Sequence, residues 1–344
     1  MKKLKVNMVS ESEISVRGHG VHTAYIELIK ALQKRRDCEL VVNDFTHKTN
    51  ADVMHLHTLG LHSVRKLIFG NARVKIVSAH VVPASFIGSI VLARLWLPLA
   101  KAYLGWFYRR ADRVLAVSKT VAHILEYDLG VKREKIILFY NSIDTSQYRT
   151  SDTKRLAARR KLGLSKSAFV VMGNGQVQPR KRLDTFISVA RAYPDLFFFW
   201  VGGISFKYAG ADYRKMQNIM KNVPKNMKIT GVIELEEVKE YLLSSDVFML
   251  PAEQENHPMA VIEAASAHLP IILRDIPEYH DTFGDDALLA ADDRGFIDQL
   301  GHVWQDAALR KHYQKSASAI AYRFDSSVAA EKLMQIYREA LASL

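Results

Sequence analysis

Residues 252–265 read AEQENHPMAVIEAA, and the pattern around them decides the fold. Just upstream, the apolar run Val247 to Leu250 predicts a buried strand that stops at Pro251. Just downstream, Met259 to Ala267 predicts a helix after Pro258, since proline is tolerated in the first helical turn, where its missing N–H has no partner. Glu255 then falls in a loop at the carboxyl end of a strand. Glu263, with seven residues between the two acids, falls in the helix that follows. Open α/β sheets bind their ligands at that edge. Two acids so placed can grip two sets of hydroxyls on one elongated polyol; a solvated helix face plus a loop acid is the plainer alternative.

Outward from this stretch the same alternation repeats. Phe169 to Met172 predicts a strand, followed by Gly173, Gly175 and the basic run Arg180-Lys181-Arg182, then a helix from about Leu183. A glycine loop and cations ahead of a helix N-terminus suit a phosphate, although a solvated basic turn has the same composition. Neither GxxxxGK[ST] nor GxGxxG is present. LFFFWVGGI predicts a fully buried strand, MKITGV another, and LEEVKEYLLSSDV a helix. PIIL (Pro270 to Leu273) predicts a strand with Arg274 to Tyr279 as a loop, and helices are expected over Gly295–Ile320 and Ser327–Leu344.

The first half follows the same rhythm, with strands at Lys3–Val9, Glu39–Val42, Val53–Leu56, Lys75–Ser78 and Arg113–Val117. Ser118 is placed to cap the helix after the last of these. Gly18 and Gly20 lie between the first strand and a helix over Val21–Lys34, facing a phosphate or sugar or simply making a tight turn. His80 follows its strand closely, as a structural hydrogen-bonder or a site residue. Strand–helix alternation through both halves predicts an α/β protein with two doubly wound, Rossmann-like domains. The expected division is 1–160, 161–325 and a C-terminal helix, 326–344, able to pack back on the first domain.

Length and composition agree. A chain of 344 residues suits two domains of about 150 to 190 residues each, and 49% hydrophobic with 24% charged residues is a folded composition. The single Cys38 excludes an intramolecular disulfide and fits a reducing cytoplasm. The start, MKKLKVNMVSESE, has no apolar run after its basic residues and does not read as a signal peptide. No CxxC, HExxH or DxD spacing suggests a metal. The net charge of +12 is unevenly spread: residues 1–150 hold 23 Lys/Arg against 12 Asp/Glu, while residues 151–344 hold 25 against 24. No acid occurs between Asp52 and Asp112. Such asymmetry points to a polyanionic partner, nucleic acid or an anionic membrane surface. Within that gap Ala84–Arg110 is apolar and aromatic, with Arg94, Trp96, Lys101, Trp106, Phe107, Tyr108, Arg109 and Arg110. It reads as an interfacial amphipathic segment, the alternative being a core helix pair kinked at Pro98.

ADVMHLH, IVSAH, ADRVLAVS, NSID, NGQVQPRK, WVGG, SSDVFMLPAEQENHPMAVIEA and LPIILRDIPE occur here in the order found in the retaining GT-B glycosyltransferases commonly numbered family 4, which the chain resembles along nearly its whole length. That resemblance implies two Rossmann-like domains facing a cleft, retention at the anomeric carbon, no bound metal and no cofactor beyond a nucleotide-sugar, expected to be a UDP-hexose. It implies donor-site roles for Gly18, Gly20, Gly175, Gln176, Arg180, Lys181, Glu255, Asn256, His257, Pro258, Met259, Ala260 and Glu263. Glu255 would hold sugar hydroxyls, Glu263 the ribose and Lys181 the diphosphate, with His80 near the sugar; His80, Lys181 and Glu255 form the implied catalytic set. Two positions depart from the family: Gln176 stands where an arginine is usual, with Arg180 able to compensate, and His268 stands where many members have glycine. A front-face reaction follows, in which the leaving diphosphate oxygen takes the acceptor's proton.

SESEISVRGHGVHTAYIEL, SAHVVPASFIGSIV and LWLPLAKAYLGWFYRRADRVLAVS are similar to the bacterial synthases that extend glucosyl-diacylglycerol with a second hexose. The implied partners are a UDP-sugar, a glycolipid acceptor and an anionic membrane surface. The implied place is the inner face of the cell membrane, as a cytoplasmic peripheral enzyme making a membrane glycolipid or lipoteichoic-acid anchor. The alternatives are a transferase for capsule, teichoic acid or another polyprenyl-linked saccharide, and a GT-B sugar-nucleotide epimerase. A nucleic-acid binder is disfavoured, since no RRM, KH or helix-turn-helix pattern is present. Glucose or galactose as donor sugar, the linkage and the oligomeric state stay open.

Overall fold

The computed structural model describes residues 3–11, 20–46, 50–87, 93–204 and 212–344, with the side chains of 93 and 94 excepted. The chain forms two compact units, Met1–Ala84 with Leu95–Asp144 and Phe324–Leu344, and Ser85–Arg94 with Thr145–Arg323.

The first unit holds a six-stranded sheet in the order β2-β1-β3-β4-β5-β6, where β1 is Leu4–Val9, β2 Cys38–Val42, β3 Ala51–Leu56, β4 Ala72–Ala79, β5 Arg113–Ala116 and β6 Ile136–Leu138. All its pairings are parallel. Parallel strands covered on both faces read as unbroken apolar runs, and the inner strands here are buried along most of their length, whereas the edge strand β2 is half-exposed. Helix α1 (Gly20–Gln33) packs on this sheet. So does the chain's last helix, Ser326–Ala342, through Leu333, Met334, Ile336 and Tyr337 in one core with Tyr25, Leu28 and Leu32. Its Tyr337 hydroxyl is hydrogen-bonded to His55 Nδ1 at 2.7 Å, across 282 residues of sequence.

The second unit holds another parallel six-stranded sheet, β12-β11-β10-β7-β8-β9, with β7 Val170–Asn174, β8 Phe197–Val201, β9 Met227–Ile229, β10 Val247–Leu250, β11 Ile271–Arg274 and β12 Leu288–Ala290. Its central strands β7 and β10 lie side by side, Val247 level with Val171, so the loops after them share one edge.

Several expectations change. The division falls at Asp144, not at residue 160, because helix Asp152–Lys161 packs on helix Leu235–Ser244. Arg159 in that helix is buried and donates to Ser244 O, Lys166 O, Ala168 O and Asp246. The single helix expected over Gly295–Ile320 is two, Asp293–Gln305 and Ala307–Arg323. Its break is at Asp306, whose carboxylate accepts from the Ala308 and Leu309 N–H groups. Arg274–Tyr279 is not a loop: Arg274 ends β11 and Pro277 opens a short helix to Thr282. Phe197, on the strand expected to be fully buried, is 43% exposed. Ala93–Arg109 is one helix with Pro98 inside it, not a pair. It turns Leu104, Phe107 and Tyr108 inward, Tyr108 donating to Val81 O at 2.7 Å, so the last two are core residues and not interfacial ones.

His268 now has a physical role. It follows helix Met259–Ser266 with φ of 58°; its N–H donates to Ala265 O, and the Leu269 N–H donates to Ala264 O. This is the left-handed cap that favours glycine. The imidazole offsets the backbone cost by bonding Ser318 Oγ through Nδ1 at 2.8 Å. His268→Gly should therefore leave stability within about 0.5 kcal/mol, while His268→Ala, keeping the strained φ and losing the bond, should cost about 1 kcal/mol or more. Thermal melts ranking Ala at or above Gly would contradict this assignment.

Candidate active site

In the second unit the expected donor residues gather at the carboxyl ends of β7 and β10. The loop after β7 is laid along the end of β8: Gly175 N–H donates to Val201 O, Val177 N–H to Gly203 O, and Trp200 Nε1 to Gly175 O at 3.0 Å. A side chain at Gly202 would meet Gly175 O at 2.1 Å, so the glycine of WVGG is what lets this loop lie down. Gln178 donates to Gln176 Oε1 at 2.7 Å. The chain then makes one tight turn, Pro179–Lys181, and Arg182 adopts φ of 52° to open the next helix, Leu183–Ala192.

That turn and the loop after β10 are fastened together. Glu253 N–H donates to Arg180 O, and Arg180 Nη1 donates to Gln254 O at 2.8 Å. Lys181 Nζ donates to Glu255 Oε1, and Arg180 Nη1 stands 3.6 Å from the same oxygen. Lys181 and Glu255 are both about nine-tenths buried. Burial alone raises a carboxyl's pKa, yet the charges of Lys181 and Arg180 outweigh it and hold Glu255 below the usual range. Glu278 nearby is pushed the other way, by burial and by the Glu255 charge. Asn256 donates to Ser85 Oγ at 3.1 Å. His257 is buried beside Phe283, and burial drops its pKa to about 3. Pro258 precedes helix Met259–Ser266, so the Met259 and Ala260 N–H groups stand in its first turn and Glu263, 5% exposed, lies one turn on. Anion-favouring N–H groups, two cations and two buried carboxylates thus share one edge.

In the first unit His80 follows β4 at the corresponding edge and is buried with its Nε2 3.3 Å from His57 Nδ1. Burial lowers its pKa to about 4, so it is neutral at ordinary pH. Gly20 is the exposed first residue of α1. Gly18 lies outside the described residues, as does the Arg94 side chain. Of the other cations expected to face a membrane, Lys101 is exposed and paired with Asp128 at 3.1 Å, and Arg110 stacks 4.2 Å over the half-buried Trp106 ring. Arg109, also exposed, donates to Leu129 O at 2.7 Å, so its charge serves that turn as well as the surface. Trp96 is half-buried, while Leu95 and Leu99 on the same helix are 76% and 75% exposed.

Sequence reading missed three features. His55 and His57 lie two apart and so share one face of β3 and its extension; the HxH spacing was the available signal. Arg182 is bound to Glu253 and to Asp184 at 3.0 Å, locking the basic turn to the acidic loop. Arg274, buried, donates to Pro251 O at 2.8 Å and to Thr185 Oγ1 at 3.2 Å. The sequence shows Arg182 only as part of a basic run beside Asp184, and Arg274 only as a strand end, because Glu253, Pro251 and Thr185, the partners that fix them, lie in other loops or helices. Among the described residues, no cluster of three or more His, Cys, Asp or Glu is arranged to hold a metal ion.

This chain matches the description "Glycosyl transferases group 1" over residues 154–319 and "Glycosyltransferase Family 4" over residues 7–147. It is 35% identical to an alpha-galactosylglucosyldiacylglycerol synthase of Streptococcus pneumoniae, over 81% of this chain and 74% of that protein. A processive diacylglycerol alpha-glucosyltransferase of Acholeplasma laidlawii is 26% identical over 81% of each. Among solved structures, Anabaena HepE in complex with UDP-glucose superposes with a TM-score of 0.79 at 16% identity, covering 99% of this chain and all of that one. The chain belongs to the family 4 glycosyltransferases, and its fold is GT-B.

Proposed function

We propose that this enzyme moves a hexose from a UDP-sugar to a membrane glycolipid, monoglucosyl-diacylglycerol, giving a diglycosyl-diacylglycerol with retention at the anomeric carbon. The observation that carries the reading is the 35% identity, over four-fifths of the chain, to a protein named for making galactosylglucosyl-diacylglycerol. The chemistry at the edge of β7 and β10 supports a diphosphate–sugar donor. Lys181 and Arg180 take the diphosphate charge, Glu255 reads sugar hydroxyls, and Glu263 accepts from the ribose. In the transfer, the bond between the anomeric carbon and the diphosphate oxygen breaks and a bond to the acceptor oxygen forms on the same face. The acceptor's proton goes to the departing diphosphate oxygen, whose charge the two cations and the helix N–H groups stabilise. No metal or cofactor enters this scheme. The family resemblance implies a place near the sugar for His80, whose imidazole is neutral.

The acid-free stretch between Asp52 and Asp112, with Leu95 and Leu99 exposed beside Lys101 and Arg110, supports peripheral contact with anionic lipid on the cytoplasmic face. No helix among the described residues is long and apolar enough to cross a membrane.

The test is incubation of the enzyme with UDP-galactose or UDP-glucose and monoglucosyl-diacylglycerol in vesicles containing anionic lipid. Galactose leads because it is in the relative's name. A diglycosyl lipid whose new linkage is α is expected. Glycosylation of a soluble or polyprenyl-linked acceptor, with no diglycosyl lipid from either donor, would refute the acceptor assignment.

A further inference from the structure

We infer that His57 is a positioning residue: its Nδ1–H donates to His80 Nε2 and holds His80 in the Nδ1–H tautomer. The inference rests on the proposed role of His80 beside the sugar, and it makes His80 a hydrogen-bond donor there, not a base.

Three observations lead to it. First, His57 Nδ1 and His80 Nε2 are 3.3 Å apart, with the two rings stacked at 5.5 Å and 25°, so one proton is shared between these nitrogens. Second, His57 is sealed in, 2% exposed, between the Tyr25 ring at 5.1 Å and the His55 ring at 4.2 Å. Third, His57 Nε2 is buried without a hydrogen-bond partner among the described residues. Two neutral arrangements are possible. If His80 Nε2–H donated, His57 would carry its own proton on Nε2, an orphaned N–H in a dry site, which folded proteins almost never contain. If His57 Nδ1–H donates, the bare Nε2 keeps only a lone pair, and under-satisfied acceptors are the commoner exception. Charging either ring to escape the choice is opposed by burial, which holds both well below their ordinary values.

The surroundings keep the pair in place. The His57 N–H of the backbone donates to Val9 O at 2.9 Å, and Tyr25 hydroxyl is held by Met8 O and Asn43 Oδ1. His55 is pinned separately, between Tyr337 hydroxyl at 2.7 Å and Ser78 Oγ at 2.8 Å, and so does not compete for His57. A second histidine thus orients the first, as carboxylates and carbonyls do for site histidines elsewhere. With its Nε2 lone pair engaged, His80 cannot take the acceptor's proton, in keeping with transfer of that proton to the leaving diphosphate.

The experiment reads the tautomer directly, by long-range nitrogen–proton correlation on histidine-labelled full-length protein. Wild type should show His80 with a pyrrole-like Nδ1 and a pyridine-like Nε2. In His57→Phe, which keeps a ring but removes the donor, His80 should switch to Nε2–H. Turnover should fall by about 10- to 100-fold with KM for the UDP-sugar unchanged, and His57→Asn, whose amide can replace Nδ1–H, should recover most of it. Thermal melts and the His55 resonances verify that each variant is folded. A wild-type His80 protonated on Nε2, or a tautomer unmoved in His57→Phe, overturns the inference whatever the activity. A wild-type enzyme that makes no diglycosyl lipid refutes the proposed acceptor alone, because the tautomer readout needs no substrate.

Discussion

Lys181→Met is expected to lower turnover by about 10²- to 10³-fold and, separately, to destabilise the protein by about 3 kcal/mol. The two losses have different causes. Turnover falls because a cation proposed to meet the leaving diphosphate is gone. Stability falls because Glu255, 8% exposed, is left as a buried carboxylate whose nearest remaining charge is Arg180 at 3.6 Å. Arg180 softens that loss, which places it at the low end of the range for a broken buried pair. The double variant Lys181→Met with Glu255→Gln should recover most of the stability and none of the turnover, since it removes both charges together. One lysine also cannot serve the carboxylate and a diphosphate equally well. UDP should therefore raise the melting temperature of wild type and have little effect on Lys181→Met. Chemical denaturation and donor kinetics on the three proteins measure all of this, and a Lys181→Met enzyme with wild-type stability would show that the pair does not hold in solution.

Acid should unfold the protein well before its carboxylates titrate. His55, His80 and His257 have pKa values lowered by burial to about 3, about 4 and about 3, and burial also holds His57 well below its ordinary value. Unfolded, each titrates near 6.5. Below that pH the unfolded chain binds protons that the folded chain refuses, so stability falls with pH until the folded values are reached near 4 and 3. Each histidine contributes a slope of about 1.4 kcal/mol per pH unit in that window, and none above it. The three with stated values together remove as much as about 6 kcal/mol by pH 5, comparable to the whole stability of an ordinary domain, and His57 adds to the loss in the same direction. Denaturant midpoints should be flat from pH 8 to 7 and drop steeply from 6 to 5. His257→Phe should reduce the slope, since it removes one of the four groups. A midpoint unchanged between pH 7 and 5 would mean that these imidazoles are reached by water.

Much of this was legible in the chain alone. Unbroken apolar runs of strand length separated by amphipathic stretches dictate two parallel sheets, because only strands covered on both faces are apolar throughout. Ser118 caps its helix, accepting from Val121 N–H, as expected of a serine just before a periodic segment. The placement of Glu255 after β10 and Glu263 in the next helix follows from local pattern too, since strand, turn proline and helix are contiguous in sequence.

What the tertiary structure decided is where distant side chains meet. Lys181 and Glu255 are 74 residues apart and become an ion pair only because β7 and β10 are neighbours in the sheet. Phe107 and Tyr108 have the composition of a membrane interface and are core residues, because the helix face they occupy is set by what packs beneath it. His268 needs the Ser318 hydroxyl, 50 residues on, to make its left-handed backbone tolerable. His57 is an ordinary strand-end histidine until β3 and β4 pair and bring His80 to its Nδ1. By itself the sequence determined the layers, the sheet edge and the two glutamates, all carried by periodicity within a few residues. Only the tertiary structure decided the charges and tautomers there, because burial and long-range pairing, which have no period, are what move a proton.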